Sequence, residues 1–325
     1  MIKAGRDHSL DFMKGILIYL VVFGHVIAKY SEPGWVYIII HTFHMPLFFF
    51  ISGFLAASSM RSDPKSFMKK KIFRILVPAL CWSLLFFIMK IPSSLDYPTK
   101  VIKSFMDIWF LYVLFYLYIV CSIICQYKKQ YVYLLIIIVI GYVIYPFLLN
   151  SGRLFGYIVE EFRIIREMPV FAMGLLYYDY KDRLTKKSKR LIVVISMIVY
   201  VSCFVYSLFI KGHSVEYLLA NENYIVRALA YQSATIISFS LFKWFFSFIK
   251  DYKITGIIEA IGQSTMGIYA MNGIVIFTIP VMIGVDYRFN LPLWLYAAVV
   301  TIVLFFFTQL MRRVPLSKRF LLGEK

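Results

Sequence analysis

Apolar runs of roughly 20 residues recur from one end of this chain to the other, and each is long enough to cross about 30 Å of hydrocarbon as a helix. That repetition leaves little room for anything but a membrane protein. Of the 325 residues, 61% are hydrophobic and only 16% charged, which does not describe a soluble core. No hydrophilic stretch is long enough for a second domain. The sequence therefore predicts an all-α, polytopic membrane helix bundle, a single transmembrane domain over residues 1–325. About ten spans are expected, near 10–29, 35–58, 73–90, 107–126, 131–149, 167–179, 191–211, 226–249, 257–283 and 291–311. The sixth is short and follows a charged amphipathic stretch, so a tilted or partly re-entrant segment is expected there.

Charge fixes an orientation. With both termini placed in the cytoplasm, 25 of the 35 Lys and Arg residues fall on the inner side and 10 on the outer. That asymmetry favours an N-in, C-in chain with an even number of spans. A formal charge of +18 does not point to nucleic acid, because the cations lie in loops between apolar runs and not on one face of a soluble fold. Asp11 and Lys14 interrupt the first run and no small-residue cleavage site follows before Glu32, so the run reads as retained and not as a signal peptide. Cys81, Cys121, Cys125 and Cys203 all fall in apolar runs and read as packing residues. The densest basic runs are Arg61 to Arg74 and Lys181 to Arg190. They satisfy the orientation rule and touch anionic headgroups, and Lys71 and Arg74 are also placed to bind a phosphorylated ligand where the third span enters.

Polar residues inside apolar runs are costly and mark candidate sites. The first two runs carry Asp11, Lys14, His25, His41, His44 and Ser52. On a helix His25 lies about 20° around the axis from Lys14 and about 16 Å further along, with Asp11 near the same stripe. His41 and His44 share a face of the second span at roughly the depth of His25. These imidazoles fit acid-base chemistry by His25 with His44 nearby, or plain hydrogen bonding near the interface; a metal site lacks a nearby carboxylate ligand. There is no Gly-x-Ser-x-Gly elbow, no activated cysteine and no Gly-rich phosphate loop, so any phosphates must be held by basic side chains. Glu160, Glu161, Arg163, Arg166 and Glu167 read as a self-paired surface segment or as the lining of an acceptor entrance. Tyr269 and Asn272 suit either helix-to-helix hydrogen bonding or substrate contact.

Several pieces, in order, resemble the acyltransferase family 3 membrane proteins, the O-acyltransferases of bacterial cell-surface glycans. They are Lys14–x10–His25 within LDFMKGILIYLVVFGH, FHMPLFFFISGF at 43–54, KIFRILVP at 71–78, WFLYVLFYLY at 109–118 and IGQSTMGIYAMN at 261–272. The resemblance implies an acyl-CoA donor, commonly acetyl-CoA, and a sugar hydroxyl as acceptor. It makes His25 the essential histidine, Lys14 its basic partner, Ser52 and Gly53 a helix break after the second span, and Arg74 the loop arginine. Lys14 stands where many members have arginine, and Asn272 where many have histidine.

Combining this with the spacing gives a working arrangement. Lys14, Lys71 and Arg74 hold the nucleotide of CoA at the cytoplasmic mouth, His25 and His44 serve the transfer, and Asp11, His41, Ser52, Tyr269 and Asn272 meet the acceptor. A multi-pass protein of the bacterial inner membrane is implied, with lipids, acyl-CoA and a glycan as partners, glycan-synthesis machinery or a second copy as further ones, and no nucleic acid or metal. The competing expectation is a non-catalytic exporter or flippase for a polysaccharide or lipid-linked sugar.

Overall fold

Asp7 opens the first helix, α1 (His8–Tyr30), by accepting the Ser9 amide at 3.0 Å, and Asp11 in the first turn with Lys29 in the last complement the helix dipole. The computed structural model describes residues 7–32, 34–91, 97–136, 138–139, 164–207, 224–280 and 291–324, and no strand occurs among them. The helices that follow are α2 (Trp35–Ser62), α3 (Pro64–Lys71), a π-helical turn (Ile72–Leu76), α4 (Val77–Lys90), α5 (Tyr97–Met106), α6 (Trp109–Ile124), α7 (Ile164–Tyr180), α8 (Lys186–Val205), α9 (Tyr224–Ile249), α10 (Lys253–Gly262), α11 (Thr265–Gly273) with a second π turn (Ile274–Thr278), α12 (Leu293–Arg313) and α13 (Pro315–Phe320).

Among the described residues six helical stretches are long and apolar enough to cross a membrane: His8–Tyr30, Trp35–Ser62, Pro64–Lys90, Lys186–Val205, Ile225–Ile249 and Leu293–Arg313. The pair Lys100–Met106 and Trp109–Ile124, bent by 69°, passes the same test only when taken together, as a broken span or a re-entrant segment. The protein is thus an all-helical membrane protein. Three expected spans take a different form. The fourth is preceded by a helix of its own and kinks sharply at its start. The sixth is an unbroken helix of 17 residues through Pro169. The ninth is divided at Gln263 and Ser264 into α10 and α11. The expected span 131–149 lies mostly outside the described residues, which are helical at 131–136 and 138–139.

The chain divides into two compact units, Met1–Phe48 with Asp182–Gln309, and Phe49–Lys181 with Leu310–Lys325. In the first, α1 packs closely on α10 because glycines meet backbone reciprocally: a Cβ on Gly15 would overlap the Ile258 carbonyl, and one on Gly262 would overlap that of Asp11. Phe12 adds ring contacts with Phe245 and Phe246, and Thr42 shares a 2.8 Å hydrogen bond with Tyr200 on α8. In the second unit, Gly53 on α2 faces the Phe171 carbonyl of α7, while Gly174 on α7 faces that of Phe50. This corrects the expected helix break at Ser52 and Gly53. Helix α2 runs unbroken to Ser62, and glycine is needed at 53 for the close crossing with α7.

Candidate active site

The first unit holds most of the residues singled out from sequence. His25, near the last turns of α1, is partly exposed, and its Nδ1 is hydrogen-bonded to the side-chain oxygen of Asn272 on α11, with Phe277 edge-on to the ring at 5.7 Å. Asn272 is itself pinned. Its amide nitrogen donates to the Tyr269 carbonyl at 2.5 Å and the Ile268 carbonyl at 3.4 Å, and the residue is 1% exposed. Carbonyl oxygens only accept, so the NH2 end must face them and the oxygen must face His25. An accepting oxygen at Nδ1 requires the proton there. The neutral imidazole then carries its lone pair on Nε2, which has no hydrogen bond among the described residues.

One turn into the same helix, the Lys14 ammonium sits 2.6 Å from Asp11, which is buried. Lys14 is therefore a partly exposed cation already matched by a carboxylate. His41 and His44 lie against each other, ring centroids 4.8 Å apart, and each donates Nδ1–H to the carbonyl four residues back, Tyr37 at 2.8 Å and Ile40 at 2.7 Å. In both rings Nδ1 is thus tied to the residue's own helix, and His44 is buried. His41 also stacks on Tyr37 and reaches α1, where the Cβ position of Gly24 would lie 3.0 Å from His41 Cε1. Glycine beside His25 thereby admits the His41 ring. Tyr269 is buried, and its backbone carbonyl contributes to holding Asn272.

The second unit holds Ser52, Lys71 and Arg74. Ser52 is half-buried on α2. Lys71 places its ammonium over the rings of Tyr118 at 4.2 Å and Phe67 at 5.2 Å. Arg74 lies in the π turn and lines a cavity of about 810 Å³ together with Lys69, Lys70, Lys318 and Arg319. Two features escape sequence reasoning. Arg61, counted as a loop cation, forms a two-pronged ion pair with Asp179 on α7, and Tyr131 donates to the same carboxylate at 2.8 Å. Arg166 and Glu167 are not a surface pair. Glu167 is fully buried, with Oε1 bonded to Arg166 and no partner on Oε2 among the described residues. The signal was present in the spacing: Glu167, Val170, Phe171 and Gly174 share one helix face, and Val170 and Phe171 are buried. Glu160, Glu161 and Arg163 lie outside the described residues.

Comparison with known proteins adds a family. The family described as "Acyltransferase domain" matches residues 7–313. The chain is 26% identical over 220 residues to nodulation protein NolL of Mesorhizobium japonicum (strain LMG 29417 / CECT 9101 / MAFF 303099), a match covering 61% of this chain and 56% of that protein. It is 27% identical over 190 residues to nodulation protein NolL of Sinorhizobium fredii (strain NBRC 101917 / NGR234), covering 53% and 49%. The chain thus spans about half the length of the curated relatives it matches. No solved structure matches it.

Proposed function

The chain belongs to the acyltransferase family, and on that premise we propose that it is a membrane O-acyltransferase that moves an acyl group, most simply acetyl, from acyl-CoA to a sugar hydroxyl of a cell-surface or lipid-linked glycan. The observation that carries this reading is the pinned Asn272, which keeps the Nδ1 proton of His25 in place and so supports Nε2 as the base. The acceptor oxygen attacks the thioester carbonyl while its proton passes to Nε2. The tetrahedral intermediate then expels sulfur, and the proton on Nε2 goes to the departing thiolate. One ester bond forms, one thioester bond breaks, and His25 returns to its starting state.

The donor enters from the cytoplasm, the side on which the positive-inside bias puts both termini, in a plasma-membrane protein of about ten spans. Lys14 lies roughly 16 Å along α1 from His25, a length on the order of an extended pantetheine arm. It meets the donor's phosphates there in exchange for part of its pairing with Asp11. His41 and His44 line the acceptor's approach, His44 as a second acid-base group.

The test is transfer itself. Purified protein supplied with acetyl-CoA labelled in the acetyl group and a glycan acceptor should move label to the glycan. Label that stays on CoA while the glycan crosses a vesicle membrane would replace this reading with the exporter.

A further inference from the structure

The basic cavity of the second unit, which includes the Arg74 expected at the donor's nucleotide, has a specific construction. Among its lining residues Arg312 and Glu324 neutralise each other through a forked pair at 2.8 to 3.0 Å. Lys69, Lys70, Arg74, Lys318 and Arg319 remain, and none has a carboxylate partner among the described residues. Five cations around about 810 Å³ repel one another unless an anion is present.

The walls are held in place by the end of the chain. After α13 the backbone turns back, with the Glu324 amide bonded to the Lys318 carbonyl at 3.0 Å and Gly323 in the left-handed region at φ 64°, which glycine adopts without a Cβ penalty. Gly323 is required a second time, because a Cβ there would overlap the backbone of Arg74. Trp82 Nε1 donates to the Leu321 carbonyl at 2.9 Å and Leu322 is buried. The tail thus docks on the π turn, where the Val77 amide reaches back five residues to Ile72. Such turns are frequent at functional positions. Lys318 and Arg319 lie beyond the stretch the family shares.

The apolar side of the cavity indicates what the anion is attached to. Phe73 and Val77 line it, and the same helical stripe continues along α4 as Leu80, Leu84 and Ile88, exposed by 46%, 59% and 51%. In a membrane protein that stripe faces lipid chains. A phosphate ester in the cavity would therefore have hydrocarbon next to it, continuous with the lipid-facing stripe of α4.

We propose that this cavity is a binding site for an anionic glycerophospholipid, its phosphate held by Lys69, Lys70, Arg74, Lys318 and Arg319 and its chains lying along Phe73, Leu80, Leu84 and Ile88. The proposal is independent of the transfer reaction. Native mass spectrometry of the full chain in detergent, with added phosphatidylglycerol, phosphatidylcholine or CoA, tests it. Wild type retains phosphatidylglycerol over phosphatidylcholine. Lys318→Gln with Arg319→Gln, and separately Lys69→Gln with Lys70→Gln, each weaken retention by about fivefold per cation removed. The lipid-free unfolding temperature is the control for folding, and the second pair, on the exposed face of α3, reports if the first disturbs the tail. Equal retention of the two lipids, or unchanged retention in both pairs, overturns the proposal. So does CoA that displaces phosphatidylglycerol and loses affinity in the same variants, which would give the cavity to the nucleotide. An active enzyme that fails this test keeps its transferase reading, and an inactive one that passes keeps its lipid site.

Discussion

The His25 site and the basic cavity solve opposite problems with opposite means. Around His25 the charges are few and already matched, as with Lys14 and Asp11, and what is controlled is a single proton position through a side chain that has no freedom to turn. In the cavity of the second unit, five cations with no carboxylate partner are gathered by a backbone closure and a tryptophan anchor, and no individual proton is specified. Low dielectric makes the first strategy effective, since one oriented dipole counts for much there, while an interfacial ligand with a full negative charge is served by number. The comparison predicts that variants in the first region alter rate, and that those in the second alter retention and stability.

The largest effect tests the first half directly. His25→Gln keeps a hydrogen-bonding side chain at Asn272 and removes the base, so labelled transfer should fall by roughly 10²–10⁴-fold with CoA binding preserved. Turnover within a few-fold of wild type would move the proton acceptor elsewhere. Asn272 comes next. Asn272→Leu leaves Nδ1 without its acceptor and should cost about 10²-fold in kcat, towards the low end of what a general base supplies. Asn272→Asp restores an acceptor and should recover most of that loss. Because a carboxylate stabilises the imidazolium, deprotonation then needs a higher pH, and the acid limb of the rate profile should move up. Equal loss in both variants, with no change in the profile, would reduce Asn272 to packing.

How much of this could be read from the chain follows the range of the interactions. Membrane helices are legible because hydrophobic run length is a local property. His25 and Lys14 were legible as an anomaly within one helix. Their settings were not: Asn272 is 247 residues from His25, and no periodicity connects α11 to α1. The kink before Trp109 and the division at Gln263 likewise follow no apolar periodicity, whereas the π turn at Arg74 lies four residues before Pro78, which has no amide hydrogen to give the Arg74 carbonyl. Arg166 and Glu167 misled for the converse reason, since adjacent opposite charges resemble a solvated pair until the helix face they share with Phe171 is considered.

The two glycine crossings separate rate from stability. Gly262→Ala in the first unit and Gly174→Ala in the second each place a methyl group against backbone, at a cost of about 1–3 kcal/mol in either case. Thermal unfolding in detergent should register both to a similar degree. Only Gly262→Ala should also lower the rate per folded molecule, because α10 abuts α1 at Asp11 and Gly15, on the helix that carries Lys14 and His25. A matching loss of rate in Gly174→Ala would remove the division.

Lys71 gives the smallest effect and the finest distinction. Sequence placed it with Lys14 and Arg74 at the donor's phosphates, whereas in the structure its ammonium lies over Tyr118 and Phe67, both buried. A cation over an aromatic face is worth about 0.5–1 kcal/mol at a half-exposed position. Lys71→Met keeps the chain length and removes the charge, so it should lower stability by about that amount. If the charge serves only the rings, KM for acyl-CoA and the retention of phosphatidylglycerol should both stay at the wild-type value. A raised KM would return Lys71 to the donor, and weakened lipid retention would enlarge the basic cavity by one member. The three measurements assign one ammonium group among packing, catalysis and lipid, which its position three residues from Arg74 does not.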